Sequence, residues 1–225
     1  MRISVIIPAL DEEKTILATV AAVGLLNPDE LLVVDGGSAD DTLNICNQLG
    51  VTVISSERGR SAQMNAGAKH STGDVLLFLH ADTRLPGSAF SDIRTALSDP
   101  RYVGGRFDLE LEGEQRMLKI IGKMISLRSR LTRVGTGDQA IFVRRHIFET
   151  IGGYPKIPLM EDIAFSQAMK RRGKVACLRS CVITSARRWQ TEGIWKTIFK
   201  MWLLKSLYLL GVSPFRLKRY YADGR

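Results

Sequence analysis

The segment VLLFLHADT, residues 75–83, decides how this sequence is interpreted. Its first five residues are apolar, which is typical of a short strand buried on both faces of a sheet. The apolar run ends in His80-Ala81-Asp82. An imidazole and a carboxylate therefore follow a core strand directly, and they indicate a functional site at the end of that strand.

The sequence before this segment alternates between strand and helix patterns. Short apolar strands are predicted at residues 3–7, 31–34, 51–55 and 75–79. Helices are predicted at about residues 12–26, with Asp11 as the cap, and at 40–49 and 61–69. This alternation predicts an α/β fold with a mostly parallel central sheet and helices on both faces.

Polar residues follow three of the predicted strands. Pro8-Ala9-Leu10-Asp11-Glu12 follows the first, Asp35 the second and His80-Ala81-Asp82 the fourth. In such sheets, ligands bind beyond the carboxyl ends of the strands. Each acid taken alone is more often a helix cap or a turn residue. Together they would repel one another, unless a metal ion or the donor groups of a ligand lay between them.

The sequence lacks the usual glycine-rich phosphate loops at the expected places. The first strand–helix turn has no GxGxxG pattern, and no GxxxxGK[ST] pattern occurs. Residues 135–140 match GxGxxA, but they follow a basic helix rather than a strand. A carboxylate-held divalent cation is the alternative, and hard oxygen ligands favour Mg²⁺ or Mn²⁺.

Composition indicates one globular, unexported domain. The chain has 225 residues, of which 45% are hydrophobic, enough for one substantial core. The opening MRISVIIPALDEE lacks the pattern of a signal peptide, so we expect a cytoplasmic protein. Its three cysteines are an odd number, so disulfides are not expected, and Cys177 and Cys181 lack partners for a zinc site.

Four segments together resemble the family-2 glycosyltransferases of the GT-A fold. They are SVIIPALDEE (4–13), VVDGGSADDT (33–42), residues 59–83 and MEDIAFSQAMKRRGK (160–174). The resemblance covers about residues 3–190 and implies an inverting enzyme that uses a nucleotide-sugar donor. With RRW at 187–189, the chain resembles a short bacterial branch without transmembrane helices. The resemblance implies a single domain, residues 1–225. This domain would consist of a nucleotide-binding half (1–100), an acceptor and catalytic half (101–190) and an apolar, basic C-terminal helical segment (191–225).

The resemblance assigns a first group of residues to the nucleotide of the donor. Pro8, Leu10 and Glu12 match the family's P-x-x-N-E segment, which lines the base and ribose. Asp35 matches the acid that contacts the base or ribose. Asp11 stands where the family usually has Asn, a mild departure.

A second group matches the residues around the donor diphosphate. Arg60 and Asn65 match the basic and amide positions beside it. His80-Ala81-Asp82 matches the D-x-D motif, which implies that Asp82 is the metal ligand and that His80 and Ala81 contact the donor. His80 replaces the first Asp of that motif, and this departure leaves open how tightly a metal is held.

The resemblance also assigns the acceptor side. In Glu161-Asp162, it implies that Asp162 is the general base, which a carboxylate within hydrogen-bond reach of the acceptor hydroxyl can be. A purely structural role at a helix N-terminus is the alternative, and both can hold. The segment Gly137-Asp138-Gln139 is similar to the loop near the acceptor.

The pair Arg188-Trp189 is similar to the R-W pair that holds acceptor and diphosphate in the polysaccharide synthases. The full Q-x-x-R-W pattern is missing, because Ser185 occupies the Gln position. A solvated basic face remains the alternative for Arg188.

The C-terminal end is basic and aromatic. Residues 187–225 hold nine basic and two acidic side chains and all three tryptophans, whereas residues 1–57 hold two basic and nine acidic ones. Residues 116–133 form a predicted basic amphipathic helix, and the apolar stretch 194–212 is interrupted by lysines. This pattern predicts peripheral contact with the inner face of the cytoplasmic membrane. Packing onto the domain or a dimer contact is the alternative; no nucleic-acid motif occurs.

The predicted activity is transfer of a sugar to an acceptor hydroxyl, with a lipid or cell-envelope precursor among the acceptors. Two other functions are alternatives to this activity. A sugar-nucleotide pyrophosphorylase would need a glycine-rich activating loop near the first strand, which is absent. A non-catalytic nucleotide- or lipid-binding module would not need Asp162. The sequence does not identify the donor sugar, the nucleotide base, the acceptor or the oligomeric state.

Overall fold

A single mixed sheet forms the centre of the computed structural model, which describes residues 1–221. The strands pair in the order β3-β2-β1-β4-β7-β6-β8-β5. Their bounds are β1 Ile3–Ala9, β2 Glu30–Asp35, β3 Thr52–Ser55, β4 Val75–Phe78, β5 Thr83–Arg84, β6 Tyr102–Leu111, β7 Phe142–Arg144 and β8 Lys174–Thr184. The first four strands in the chain are parallel, as predicted. Among the others, β7 runs antiparallel to β4 and β6, and β5 antiparallel to β8.

Helices cover both faces of this sheet. They are α1 Ile16–Gly24, α2 Thr42–Gln48, α3 Arg60–His70, α4 Ala89–Ala96, α5 Arg116–Thr132, α6 Arg145–Ile151, α7 Glu161–Lys170, α8 Arg187–Glu192, α9 Ile194–Leu209 and α10 Pro214–Lys218. The expected start of α1 at residue 12 was wrong. Asp11 has a left-handed backbone (φ 53°), which an α-helix cannot contain, and its carboxylate accepts from the Ala39 N–H instead.

Two apolar clusters explain why β1 and the run at residues 75–79 are largely apolar. In β1, Ile3, Val5 and Ile7 face one cluster, whereas Ile6 faces the other. The run at residues 75–79 divides between the clusters in the same way. Since both faces are buried, every position along these strands favours an apolar side chain.

Helix α3 lies unusually close to the sheet. A Cβ atom on Gly67 would lie 2.4 Å from Cγ2 of Ile6 and 2.9 Å from Cγ2 of Val34. Only glycine therefore fits at this position without displacing core side chains. This close approach positions Arg60 and Gln63, in the first turn of α3, at the carboxyl ends of β1 and β2.

A third apolar cluster attaches the C-terminal segment to the start of α7. Leu204 of α9, Leu217 of α10 and Tyr221 are buried against Met160 and Ile163 at the start of α7. The opposite side of α9 is open to solvent, with Trp195, Phe199 and Trp202 each between 66% and 74% exposed. Within residues 1–221, no helix is both long and apolar enough to cross a membrane. Residues 222–225 of the predicted C-terminal segment lie outside the described residues.

Candidate active site

A polar cleft opens at the carboxyl ends of β1 and β4, where the sequence predicts a site. Most of the predicted residues line this cleft or a narrow cavity that adjoins it. The cleft is lined by Pro8, Leu10, Glu12, Arg60, His80, Ala81, Asp82, Asp138, Arg188 and Trp189, together with Gln63, Leu111, Thr184, Ser185 and Arg187. The adjoining cavity adds Gly137, Glu161 and Asp162, and it shares Pro8, Arg60 and His80 with the cleft.

Gly137 lies between His80, which follows β4, and Asp162, in the first turn of α7. Its backbone N–H donates to Oδ2 of Asp162 at 2.8 Å. A Cβ atom at this position would lie 2.6 Å from Nε2 of His80 and 3.8 Å from the same Asp162 oxygen. A side chain at this position would therefore displace the His80 ring. The other Asp162 oxygen accepts from the Ile163 N–H at 2.7 Å, so both carboxylate oxygens are held by backbone donors.

The residues just before Asp162 are strained and buried. Met160 has a left-handed backbone (φ 66°), an uncommon conformation for a side chain of this size. Glu161 is 7% exposed. Burial, and then the charge of Asp162, raise the pKa of Glu161 to about 7, against the opposing effect of Arg60. A protonated Glu161 would leave Asp162 without a second negative charge beside it.

Asp138 is another acid held in a dry environment. Its Oδ1 atom is buried without a hydrogen-bond partner among residues 1–221. Burial raises the pKa of the Asp138 carboxyl, in spite of a hydrogen bond from Thr136 and the nearby charge of Arg128. A buried carboxylate oxygen without a hydrogen-bond partner is costly, and Arg128 is the nearby opposite charge that offsets this cost.

Pairing of β5 with β8 brings the basic residues that follow β8 to the side of the cleft where the sequence predicts the donor diphosphate. The Ser185 N–H donates to the backbone oxygen of Asp82 at 3.1 Å. The Arg187 guanidinium then lies 3.6 Å from the Glu12 carboxylate. Arg188 follows directly, and its guanidinium lies 4.5 Å from the centre of the Tyr221 ring and donates to the Tyr221 hydroxyl. The cleft therefore has acids on its β1 and β4 walls and cations on its β8 wall.

Three predicted residues do not line either cavity. Asp35 is buried and accepts from the N–H groups of Gly37 and Ser38, so its carboxylate shapes the turn after β2. Asn65 exchanges two hydrogen bonds with the backbone of Tyr154, at 2.9 and 2.8 Å. Gln139 is fully buried and donates to the Phe107 carbonyl. In the structure, their polar groups hold loops that support the site.

Sequence reasoning missed several residues of the site. Gln63 donates to the carbonyls of Ala9 and Val34, at the ends of β1 and β2, and lines the cleft. Arg187 precedes the predicted Arg188, and the RRW pattern was the only signal for it.

The donor groups present fit a divalent cation that is shared with a ligand. Among residues 1–221, no group of three or more His, Cys, Asp or Glu side chains could hold a metal unaided. The Asp82 carboxylate is half-buried in the cleft wall, next to His80. Mg²⁺ commonly binds one or two carboxylates and takes its other ligands from water and substrate phosphates. Arg84 is not part of this set, since it forms an ion pair with Glu112 at 2.9 Å.

Comparisons with known proteins agree with this geometry. The sequence profile of glycosyl transferase family 2 matches residues 4–157. A PGL/p-HBAD biosynthesis glycosyltransferase from Mycobacterium bovis is 31% identical over 164 residues, which are 67% of this chain and 62% of the relative. The chain thus spans about three fifths of the length of this curated relative.

Two solved structures show the same fold. The mannosyltransferase PcManGT from Pyrobaculum calidifontis, in complex with GDP-Man and Mn²⁺, has a TM-score of 0.70 and 16% identity, over 99% of this chain and 65% of that one. The glucosyl-3-phosphoglycerate synthase from Mycobacterium tuberculosis, in complex with Mn²⁺, UDP and glucosyl-3-phosphoglycerate, has a TM-score of 0.61 and 22% identity, over 80% and 70% of the two chains.

The mixed sheet with helices on both faces is the GT-A fold. The chain belongs to glycosyl transferase family 2. Both the predicted fold class and the predicted family are confirmed.

We expect Glu161 to make stability depend on pH. Its pKa is 4.5 in an unfolded chain and about 7 in the folded one, so between these values the folded state binds more protons. The free energy of unfolding should therefore fall as the pH rises through this window and level off above it. The loss should be on the order of 3 kcal/mol relative to Glu161→Gln, which has no proton to release. Urea denaturation of both proteins from about pH 4.5 to 8 measures it.

The exposed Glu114 provides the control, since Glu114→Gln should follow the wild-type curve. Parallel curves for the wild type and Glu161→Gln would show that Glu161 is already charged in the folded protein.

Proposed function

We propose that this protein is an inverting glycosyltransferase that transfers a sugar from a nucleoside-diphosphate donor to an acceptor hydroxyl, with Asp162 as the general base. The observation that carries the proposal is the position of Asp162. Its carboxylate is held by the Gly137 N–H at 2.8 Å, beside the cavity that His80 and Arg60 also line. The proposed base, Asp162, and the cations proposed to bind the diphosphate therefore line two adjoining cavities.

In this mechanism, the acceptor oxygen attacks the anomeric carbon from the side opposite the diphosphate. The new carbon–oxygen bond forms as the bond to the diphosphate breaks, so the configuration inverts. Asp162 takes the proton of the acceptor hydroxyl. The two backbone donors, Gly137 N–H and Ile163 N–H, orient the carboxylate. A protonated Glu161 keeps local repulsion low and so favours substrate approach.

The departing diphosphate requires positive charge. Arg60, Arg187 and Arg188 supply it from two sides of the cleft. Asp82, with His80 beside it, would hold Mg²⁺ or Mn²⁺, and the metal would neutralise diphosphate charge when bound. Both solved structures described above are complexes with Mn²⁺, which supports this part of the proposal.

The nucleotide would occupy the β1 side of the cleft. Pro8, Leu10 and Glu12 line that side, and the base and ribose would contact them there. Asp35 would act indirectly, because its carboxylate is used in the turn that ends β2. The proposed role of Glu12 includes holding Arg187 near the diphosphate through their ion pair.

We also propose peripheral contact with the cytoplasmic face of a membrane, which would give access to lipid-linked acceptors. The outer side of α9 exposes Trp195, Phe199 and Trp202, while its inner side packs on the domain. Apolar residues on α5, such as Leu127 and Leu131, are also exposed, at 58% and 76%. Exposed aromatic residues with neighbouring lysines and arginines are typical of helices that lie on anionic membranes.

The first prediction from this proposal tests the role of Asp162 as the general base. In a screen of nucleotide sugars that detects nucleoside diphosphate release, the wild type should turn over one donor. Asp162→Asn should bind that donor with unchanged affinity and lower the transfer rate by about 10²–10⁴-fold, because the amide cannot take the proton. Turnover at the wild-type rate in this variant would exclude Asp162 as the base. Donor binding without turnover in the wild type would favour a non-catalytic module, and release of pyrophosphate would favour a pyrophosphorylase.

The second prediction tests the metal. Asp82→Ala should abolish the dependence of donor binding on Mg²⁺ or Mn²⁺, since it removes the carboxylate ligand. Calorimetric titrations with donor, with and without chelator, measure this dependence, and Asp92→Ala, which alters a half-buried carboxylate of α4 outside the cleft, is the control. If tight binding survives both chelator and the Asp82 substitution, the arginines bind the diphosphate without a metal.

The third prediction tests membrane contact. The purified chain should sediment with anionic vesicles at low salt and dissociate as salt rises. The double variant Phe199→Ser and Trp202→Ser should bind weakly, because it removes apolar area from the exposed side of α9. Leu25→Ser, which alters an 83% exposed residue elsewhere, should bind like the wild type. No sedimentation at low salt, with dimers in solution, would instead make this surface a protein interface.

A further inference from the structure

Tyr221 is the point where three cations from different helices converge. The guanidinium carbon of Arg188 lies 4.5 Å from the centre of the Tyr221 ring, and the ammonium groups of Lys200 and Lys218 each lie 5.6 Å from it. These distances are within the range of cation–π attraction. Because the cations belong to α8, α9 and α10 in turn, the ring connects these helices to one another.

The position of the Tyr221 ring is fixed by packing. The residue is 7% exposed and belongs to the third apolar cluster, together with Met160 and Ile163 around the start of α7. Its backbone N–H donates to the Lys218 carbonyl at 3.1 Å. Because α7 carries Asp162 in its first turn, the ring has a defined position relative to the proposed base.

Of the three cations, Arg188 lines the donor cleft. The guanidinium of its neighbour, Arg187, lies 3.6 Å from the Glu12 carboxylate, which offsets part of its charge. Tyr221 contacts Arg188 in a different way, because the guanidinium stacks on an uncharged ring and donates to the hydroxyl of that ring. An uncharged partner can orient a guanidinium without offsetting its positive charge.

An oriented guanidinium is well suited to bind a diphosphate. An arginine side chain loses rotational freedom when it binds a phosphate, and one that is already held in place loses less. Its five N–H groups allow it to donate to the Tyr221 hydroxyl and to phosphate oxygens at the same time. The lysines on the same ring add positive potential to this wall, although the Glu192 carboxylate, at 2.9 Å, offsets that of Lys200.

We propose that Tyr221 is a positioning residue for donor binding, because its ring and hydroxyl hold Arg188 in the orientation that binds the diphosphate. This inference rests on the proposed function, in which Arg188 is one of the cations that bind the diphosphate. Tyr221 itself lines neither of the two adjoining cavities, so it acts on the donor through Arg188. The alternative is that Tyr221 only attaches the C-terminal segment to α7.

Binding of a diphosphate to the full chain tests this inference without requiring turnover. Calorimetric titrations with UDP, GDP and inorganic pyrophosphate, each with Mg²⁺, measure the affinity, and the pyrophosphate titration does not depend on which base the site accepts. Tyr221→Leu keeps an apolar side chain in the cluster but removes the ring and the hydroxyl, so it should weaken binding by about tenfold. Tyr221→Phe keeps the ring and should weaken binding by only about threefold. Tyr220→Leu, which alters the adjacent, 73% exposed residue, should bind like the wild type.

A double-mutant cycle with Arg188→Gln separates positioning from packing. If Tyr221 acts through Arg188, Tyr221→Leu should have little further effect on the affinity once Arg188 has been replaced. Thermal melting identifies any variant that fails to fold, and Tyr221→Phe takes the place of Tyr221→Leu in the cycle if the latter does. Equal losses of affinity in the presence and absence of Arg188 would overturn the inference, as would wild-type affinity in Tyr221→Leu.

The outcomes also distinguish this inference from the proposed function. Diphosphate binding that is indifferent to Tyr221, in a protein that transfers sugar, would sink this inference alone. Binding that depends on Tyr221 and Arg188 together, without sugar transfer from any donor in the screen, would sink the proposed function alone. A wild type that binds none of the three diphosphates would overturn both.

Discussion

The hydrogen bond from the Gly137 N–H to Asp162 is the contact on which the arrangement of the site depends. It joins the turn after α5 to the first turn of α7, and it fixes the carboxylate beside the end of β4. A Cβ atom at position 137 would lie 2.6 Å from the His80 ring, so a side chain there would displace the ring. Met160, just before α7, has a left-handed backbone. Residues that the sequence assigns to the donor and to the acceptor thus lie next to each other at this glycine.

Desolvation organises the charges around this contact. Burial raises the pKa values of Glu161 and Asp138 and lowers that of Lys205, so each charged form is less stable in its buried position than in water. Groups with shifted pKa values are common at functional sites.

The C-terminal segment has two different sides, and each has its own consequence. The inner side buries Leu204 and Leu217 against the start of α7, so the C-terminal segment packs onto the rest of the domain. Arg188 stacks on Tyr221, which links the wall of the cleft to the end of the described chain. The outer side leaves aromatic residues in water. The two alternatives left by the sequence, packing on the domain and contact with a membrane, are therefore compatible, because they involve opposite sides of one helix.

The sequence by itself determined the first four parallel strands and the residues that follow them. β1 and β4 are buried on both faces, so their apolar runs are nearly continuous and short, and the break to polar residues marks the end where ligands are expected to bind. The motifs also predicted roles for Asp162 and Asp82, because their neighbours in the chain carry the pattern. Tertiary structure alone decided the antiparallel position of β7 and the ion pair of Glu12 with Arg187. These contacts join residues far apart in the chain, and local periodicity holds no record of such pairings. For the same reason, Asn65 and Gln139 matched a site pattern, while the folded chain uses their amides to hold its own backbone.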